Sequence, residues 1–409
     1  MTTLQLTITA RAPLAIGRQK PGGSISEAQT YIPGSVIRGA IAGKMLRQVA
    51  ANETPGETTD LAQPGGDFER LFTTEDAAVF SNAYPSLQGQ PALVLPATAV
   101  SSKTSPGFRS EKGGNEGVFD TLIDGFCAEG HGYPYEPSCL NGDRAEPYSQ
   151  FYTIENGRYQ TQSVDTRLLT RVGINRRRAT AQEQVLYSIE VINETQGKAG
   201  QPTIFSSSIA LEDATLASQL ATYLEQQQWR LGGSASRGLG KVDIQVSEPS
   251  SIAPVATRIE AFNHELRKRW QQWGEAYGGT QDLPSDRQFF TLDLQSDAIL
   301  TEQWRRTTVV SPAMLCQMAG IGDDQLQLHS VYSSYDYCSG WNAAWGLMKD
   351  VELVTQRGAV YLWSTSQLDQ WISPLAELEI KGVGERTPEG FGQVKVCDQF
   401  HQVFREAAV

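Results

Sequence analysis

One short pattern limits what this chain can fold into more than any other, because it occurs twice. "WRLGGSASRGLGKV" runs from Trp229 to Val242, and "IKGVGERTPEGFGQVKV" runs from Ile380 to Val396. Both end in Gly-apolar-Gly-polar-Val, just ahead of a strand-like run. Glycine at such density marks main chain that turns through positive φ or lets another backbone come close. Each stretch follows a helix-like run, so helix, bend and strand recur in one order. That recurrence is the signature of an internal duplication, with one copy degenerate.

The elements around the bends can be read from periodicity. "TLQLTITARAPL" alternates, with Leu4, Leu6, Ile8 and Ala10 facing one way, as a half-buried strand does. A helix starts between Pro33 and Ser35, with Ser35 as the expected N-cap and Ile37, Ile41, Met45 and Val49 as its apolar stripe. Residues 52–160 are rich in Gly, Pro and Ser and read as an insertion with long loops. Strands are expected at 185–193, 203–211 and 239–246, with a helix at 212–228. Without the insertion the order is strand, helix, strand, strand, helix, strand, which is the ferredoxin-like (RRM-like, βαββαβ) arrangement. The expected fold class is therefore α+β, two ferredoxin-like domains in tandem. Their bounds are 1–246 and 286–409, joined by a linker and helix over 247–285. In the second copy, strands are expected at 287–300 and 358–363 and a helix at 373–380.

Successive amides exposed by a glycine bend make a small anion-binding concavity. Arg237 lies in the first bend and Arg386 in the second, and each adds a bidentate phosphate ligand. The competing reading is a tight helix-to-strand turn with no ligand, which duplication would copy equally well. Two other glycine motifs are excluded. "GGSASRGLG" follows a helix, whereas a dinucleotide-binding turn follows a strand. "GAIAGKM" has Met45 where a phosphate loop needs Ser or Thr for magnesium.

Charge sharpens the search. The 409-residue chain carries a net charge of −12, yet Thr166–Gln182 holds Arg167, Arg171, Arg176, Arg177 and Arg178 and no acid. Such a local cluster can contact a nucleic-acid backbone despite an acidic whole. Asn175, beside it, is of the residue type that can read an adenine edge. No apolar run reaches bilayer length, so no membrane partner is expected. The opening residues do not read as a signal peptide, and five scattered cysteines suit a reducing cytoplasm.

Several segments together resemble the CRISPR-associated RAMP superfamily. "YIPGSVIRGAI" (31–41) is similar to the motif that opens its first helix, and the two glycine stretches to its glycine-rich loops. "VGINRRRATAQEQVLYSIEVI" (172–192) and "RGAVYLW" (357–363) resemble the Csx-type subunit of subtype III-D effector complexes, in the Cas-five group. The resemblance implies a subunit that caps a ribonucleoprotein filament and holds the 5′ repeat-derived handle of the crRNA. Its neighbours would be the large polymerase-like subunit and the backbone RAMP subunits, with target RNA met only indirectly. It also implies a Cys-Lys pair and a Cys-x-x-Cys pair in the insertion. Here Ser102 precedes Lys103, and only Cys127, His131 and Cys139 offer soft ligands. Zinc there would need a fourth ligand from elsewhere; no cofactor is expected otherwise.

The candidate RNA-binding set is Gly34, Ser35 and Arg38 at the helix start, the arginine cluster with Asn175, Gly233, Ser234, Ser236, Arg237 and Gly238 in the first bend, and Gly384 and Arg386 in the second. Helix N-termini attract phosphate, which is why the helix start is included. The aromatic stretch 332–345 could stack on bases, although such clusters commonly belong to cores or protein interfaces. His131, His264, His329 and His401 fall in no catalytic pattern, and Asp120/Asp124 read as surface acids before magnesium ligands. The expected function is non-catalytic crRNA binding. The alternatives are a metal-independent endoribonuclease that trims precursor crRNA and an architectural subunit that touches only protein.

Overall fold

The computed structural model describes residues 1–17, 27–52, 66–74, 76–109, 114–175, 180–197, 200–249, 252–279, 282–342 and 346–409. Two antiparallel sheets organise it. In the first, the strand order is Trp229–Arg230, Lys241–Ser247, Thr2–Ala10, Ile204–Leu211 and Val79–Phe80, with Tyr84–Pro85 also paired to Ile204–Leu211. In the second, it is Val394–Val396, Gln288–Leu294, Val360–Thr365 and Gln327–Tyr332. In each, the opening strand lies between the last strand and the third, and the second strand is at the edge. That is ferredoxin-like order, twice, in an α+β fold.

Alternation explains the first sheet. Leu4, Leu6, Ile8 and Ala10 turn to one face and bury against Ile37 and Ile41 of the helix Gly34–Asn52 and Leu216, Leu220 and Leu224 of the helix Ala214–Gln226. Asp213 caps that second helix by accepting from the Thr215 and Leu216 amides. In the second half, Phe290, Leu292 and Leu294 pack with Trp363, Trp371 and Leu375. Leu368–Lys381 is the second helix there, starting ahead of the expected 373 and holding Pro374 inside it. Its first helix is the shorter Pro312–Ala319. The long helix Val255–Tyr277 buries Ile259, Phe262 and Leu266 in the same core.

Two expectations need correction. The second strand of the first sheet is not 185–193 but Val79–Phe80 and Tyr84–Pro85, inside the supposed insertion. Residues 185–192 belong to Thr180–Ile192, which pairs with Thr166–Asn175 in a two-stranded ribbon separate from that sheet. Alternation alone could not tell a ribbon from a sheet strand. Nor is 93–162 mainly loop. It forms two three-stranded sheets and the helix Leu122–Gly130. Leu122, Ile123 and Cys127 of that helix enter the second core, while Phe119 and Tyr152 pack with Phe400 and Val403 near the end of the chain.

A buried imidazole fastens this region to the second sheet. His401 Nε2 lies 3.0 Å from Asp293 Oδ1 and His401 Nδ1 lies 3.2 Å from Asp120 Oδ2. Burial alone would lower its pKa, but the two carboxylates outweigh burial and hold it well above the ordinary range. Two carboxylates thus flank the ring and favour its protonated form.

Candidate nucleic-acid interface

The two glycine bends match residue for residue. Gly232, Ser234, Gly238 and Gly240 have φ of +84°, +57°, +86° and +84°; Gly384, Arg386, Gly390 and Gly392 have +81°, +57°, +92° and +66°. Their hydrogen bonds match too. Gly233 N donates to Ala15 O at 2.9 Å, and Glu385 N to Ile299 O at 2.9 Å. Leu231 N donates to Gly240 O at 2.8 Å, and Val383 N to Gly392 O at 2.8 Å. Glycine is required at Gly240 because a Cβ there would stand 2.5 Å from Leu231 O; at Gly392 it would collide with Val383 O. The bend is thus a structural turn in both copies. What each copy presents beyond the turn differs.

This register corrects one inference from sequence. Arg237 and Arg386 are not equivalent: Arg386 corresponds to Ser234, and Arg237 corresponds to Glu389. The second bend is closed. Arg386 pairs with Glu389 at 2.6 Å, and Lys349 Nζ reaches the same carboxylate at 2.8 Å. Burial pushes the Glu389 carboxyl up, but the bonds from Arg386 and Lys349 outweigh it and hold it low. A Cβ on Gly390 would meet Asn82 Oδ1 at 2.7 Å, Phe80 O at 2.9 Å and Gly34 Cα at 3.2 Å. So the second bend sits on the start of the helix Gly34–Asn52. Only Gly384 and Glu385 at its edge are exposed.

That packing also decides the helix start. Helix begins at Gly34, so Ser35 lies inside the first turn and is not the N-cap. The Gly34 amide is taken by Asn82 Oδ1 at 2.8 Å. Arg38 donates to Phe72 O, and its guanidinium lies 5.5 Å over the Phe72 ring. Burial lowers the Arg38 pKa, with Glu389 opposing. The chain's own groups occupy this helix start.

The first bend is open. Gly232, Gly233, Ala235, Ser236, Arg237 and Gly238 are exposed and Ser234 is half-buried, and among the described residues nothing lies within 4 Å of a Cβ built on Gly238. Its Leu239 is buried with Ala15 and with Val191, Leu169 and Ile189 of the ribbon. The ribbon therefore rises from the bend as one surface. Register places Arg171 directly opposite Tyr187, and Arg167 opposite Val191 on the same face. Arg237 donates to the Tyr187 hydroxyl and lies 5.6 Å over its ring. Arg171, Tyr187 and Arg237 thus form one patch. Arg167 is held by Glu194 at 3.1 Å. Asn175 is in the ribbon strand, past a bulge between Val172 and Ile174. Arg176, Arg177 and Arg178 lie outside the described residues. Tyr187 was missed in the sequence because only the cross-strand register reveals it.

The remaining candidates fall elsewhere. Cys127 is buried in the second core and Cys139 in the core of the insertion. His131 stacks on Trp270 with centroids 4.4 Å apart and lies 3.1 Å from Trp270 O. They do not fit a zinc site, and no group of three or more metal-ligating side chains occurs among the described residues. Asp124 pairs with Arg269 at 2.7 Å, and Asp120 belongs to the His401 clamp, so neither is a surface acid. His329 Nε2 lies 2.7 Å from Ser364 Oγ, and His264 is exposed beside Glu265. Tyr335 and Tyr337 are exposed on one face of a small two-stranded sheet.

No protein-family model matches the chain, and no curated protein matches it. Among solved structures it is similar to a chain of the type III-B Cmr-beta complex bound to cognate target RNA and AMPPnP. The TM-score is 0.43 and the identity 11%, over 92% of this chain and 90% of that one. It also aligns with a chain of a Cas6 product complex, at TM-score 0.29 and 13% identity over 48% of this chain and 81% of that one. A chain of a type IV-B CRISPR complex aligns at TM-score 0.27 and 12% identity, over 62% of this chain and 95% of that one. Values this low carry no weight on their own, and the α+β assignment stands on the two sheets themselves. No helix among the described residues is long and apolar enough to cross a membrane.

Proposed function

We propose that this chain is a non-catalytic crRNA-binding subunit of a type III-D CRISPR effector ribonucleoprotein, holding the 5′ handle by its phosphates. One observation carries the reading: two matched bends differ in that the first is exposed and carries Arg237, while the second is sealed by its own chain. The patch of Arg171, Tyr187 and Arg237 supplies two guanidinium groups beside exposed amides. Such groups position a sugar-phosphate backbone without reading bases. The motif resemblance supports the assignment to the CRISPR RAMP group and to a place beside the large polymerase-like subunit and the backbone subunits. The acidic remainder then faces protein neighbours and limits unspecific RNA binding. The expected compartment is the cytoplasm.

The test is fluorescence anisotropy with single-stranded RNA carrying the repeat handle. Arg171→Glu with Arg237→Glu should weaken binding about ten-fold or more. Each lost phosphate contact should also make the log–log salt slope shallower by about 0.7. An unchanged affinity and slope would remove the first bend from the interface. Incubating the protein with a repeat-containing transcript, with and without EDTA, should leave the RNA intact. Cleavage abolished by one histidine substitution would make the chain an endoribonuclease instead.

A further inference from the structure

A second cationic surface lies outside every site named so far. It is an open cleft of about 500 Å³ between the far half of the helix Gly34–Asn52 and the strands that flank the first bend. Among the described residues Ala40, Lys44, Arg47, Gln48, Gln228, Trp229, Arg230 and Lys241 line it, four cations and no acid.

Both pairs of cations stand in places where like charges work against the fold. Lys44 and Arg47 are three residues apart on one helix, neighbours on its surface. Arg230 and Lys241 are direct cross-strand partners. No described carboxylate forms an ion pair with any of the four, although acids outnumber bases in the chain by 46 to 34. One donor of Lys44 is used on Gln228 O at 2.7 Å, and its ammonium lies 5.0 Å over the Trp229 ring. Arg230 gives one nitrogen to Leu239 O at 3.0 Å. These contacts fix the two side chains and leave other donors facing the cleft. Burial and Arg47 both lower the Lys44 pKa, as an anion between them would reverse. Trp229 is itself buried, so the cleft offers charge and not a stacking platform.

We propose that this cleft is a second phosphate-binding subsite, holding successive phosphates of a single-stranded RNA that leaves the first bend. The inference rests on the reading of that bend as an RNA contact, because Arg230 and Lys241 sit on its two stem strands. The strand passes from Arg237 at the crest down to the stems and on to Lys44 and Arg47. A free phosphate or a mononucleotide shares the same chemistry, so the experiment separates a strand from a lone anion.

The probe is labelled single-stranded polyuridine, bound to the full chain at several salt concentrations. Arg47→Glu with Lys241→Glu changes two exposed side chains and should leave the melting temperature within about 2 °C. It should weaken RNA binding about ten-fold and make the salt slope shallower by about 0.7 for each lost contact. Millimolar inorganic phosphate or AMP should not displace the RNA. Wild-type affinity in this double variant, with Arg237→Glu still defective, overturns the cleft and leaves the bend standing. A defect in the double variant with Arg237→Glu unaffected removes the bend and overturns the path from it to the cleft. Displacement by phosphate or AMP makes the cleft a lone-anion site and overturns the strand path.

Discussion

The two glycine bends share a backbone and differ in almost everything attached to it. Positive φ recurs at four matched positions, and the bonds to Ala15 O and Ile299 O superpose in role. At the crest, however, one copy has Arg237 in solvent and the other has Glu389 tied to Arg386 and Lys349. Beyond it, one copy has open space at Gly238 and the other has Phe80, Asn82 and Gly34 against Gly390. The same turn is therefore used in two ways: one seals the first helix and the other is left exposed.

The largest effect should come from the clamp that fastens the sealed half. His401→Asn leaves Asp120 and Asp293 buried with their cation gone, and should cost about 3–5 kcal/mol in chemical denaturation. The same clamp gives a pH dependence of known sign. The folded-state pKa of His401 is raised, so its contribution is complete below about pH 6.5, the unfolded value. It then falls by about 1.4 kcal/mol per pH unit until the folded-state pKa is passed. Wild type should lose stability on that limb and His401→Asn should not; parallel profiles would remove the imidazolium.

Next come the matched glycines. Gly390→Ala adds a methyl against Phe80 O and Asn82 to the cost of positive φ, about 3 kcal/mol together. Gly238→Ala meets none of the described residues and should cost only about 1 kcal/mol. Equal melting temperatures for the two variants would abolish the difference between sealed and open bends. Smaller still is a charge test at the crest. Glu389→Gln should lower stability by about 1–2 kcal/mol through the weakened Arg386 and Lys349 bonds, with RNA binding unchanged. Arg237→Ala should do the reverse, leaving the melting temperature within about 1 °C while the salt slope falls by about 0.7.

Much of the fold was legible because it rests on local periodicity. The opening strand, the first helix, the helix after Asp213 and both bends are all visible as alternation, helical spacing or glycine. Val79–Phe80 and Tyr84–Pro85 were not, since two-residue strands are too short to show a period. The ribbon misled for the opposite reason: its strands alternate well, yet Leu168 and Val172 face solvent. At the site, the first bend could be found from its glycines and Arg237. Its partnership with Tyr187, the sealing of the second bend and the cleft of Lys44, Arg47, Arg230 and Lys241 all depend on register between distant strands.

The seal over the first helix also sets an order of events during synthesis. A ribosome delivers Gly34 and Asn82 long before it delivers Glu389 and Gly390. Closing so long a loop is slow, and domains of a growing chain fold from the N-terminal side first. The nascent first half therefore waits with that helix end capped by Asn82 alone and its outer side open to water. Only the arrival of the last glycine bend closes it.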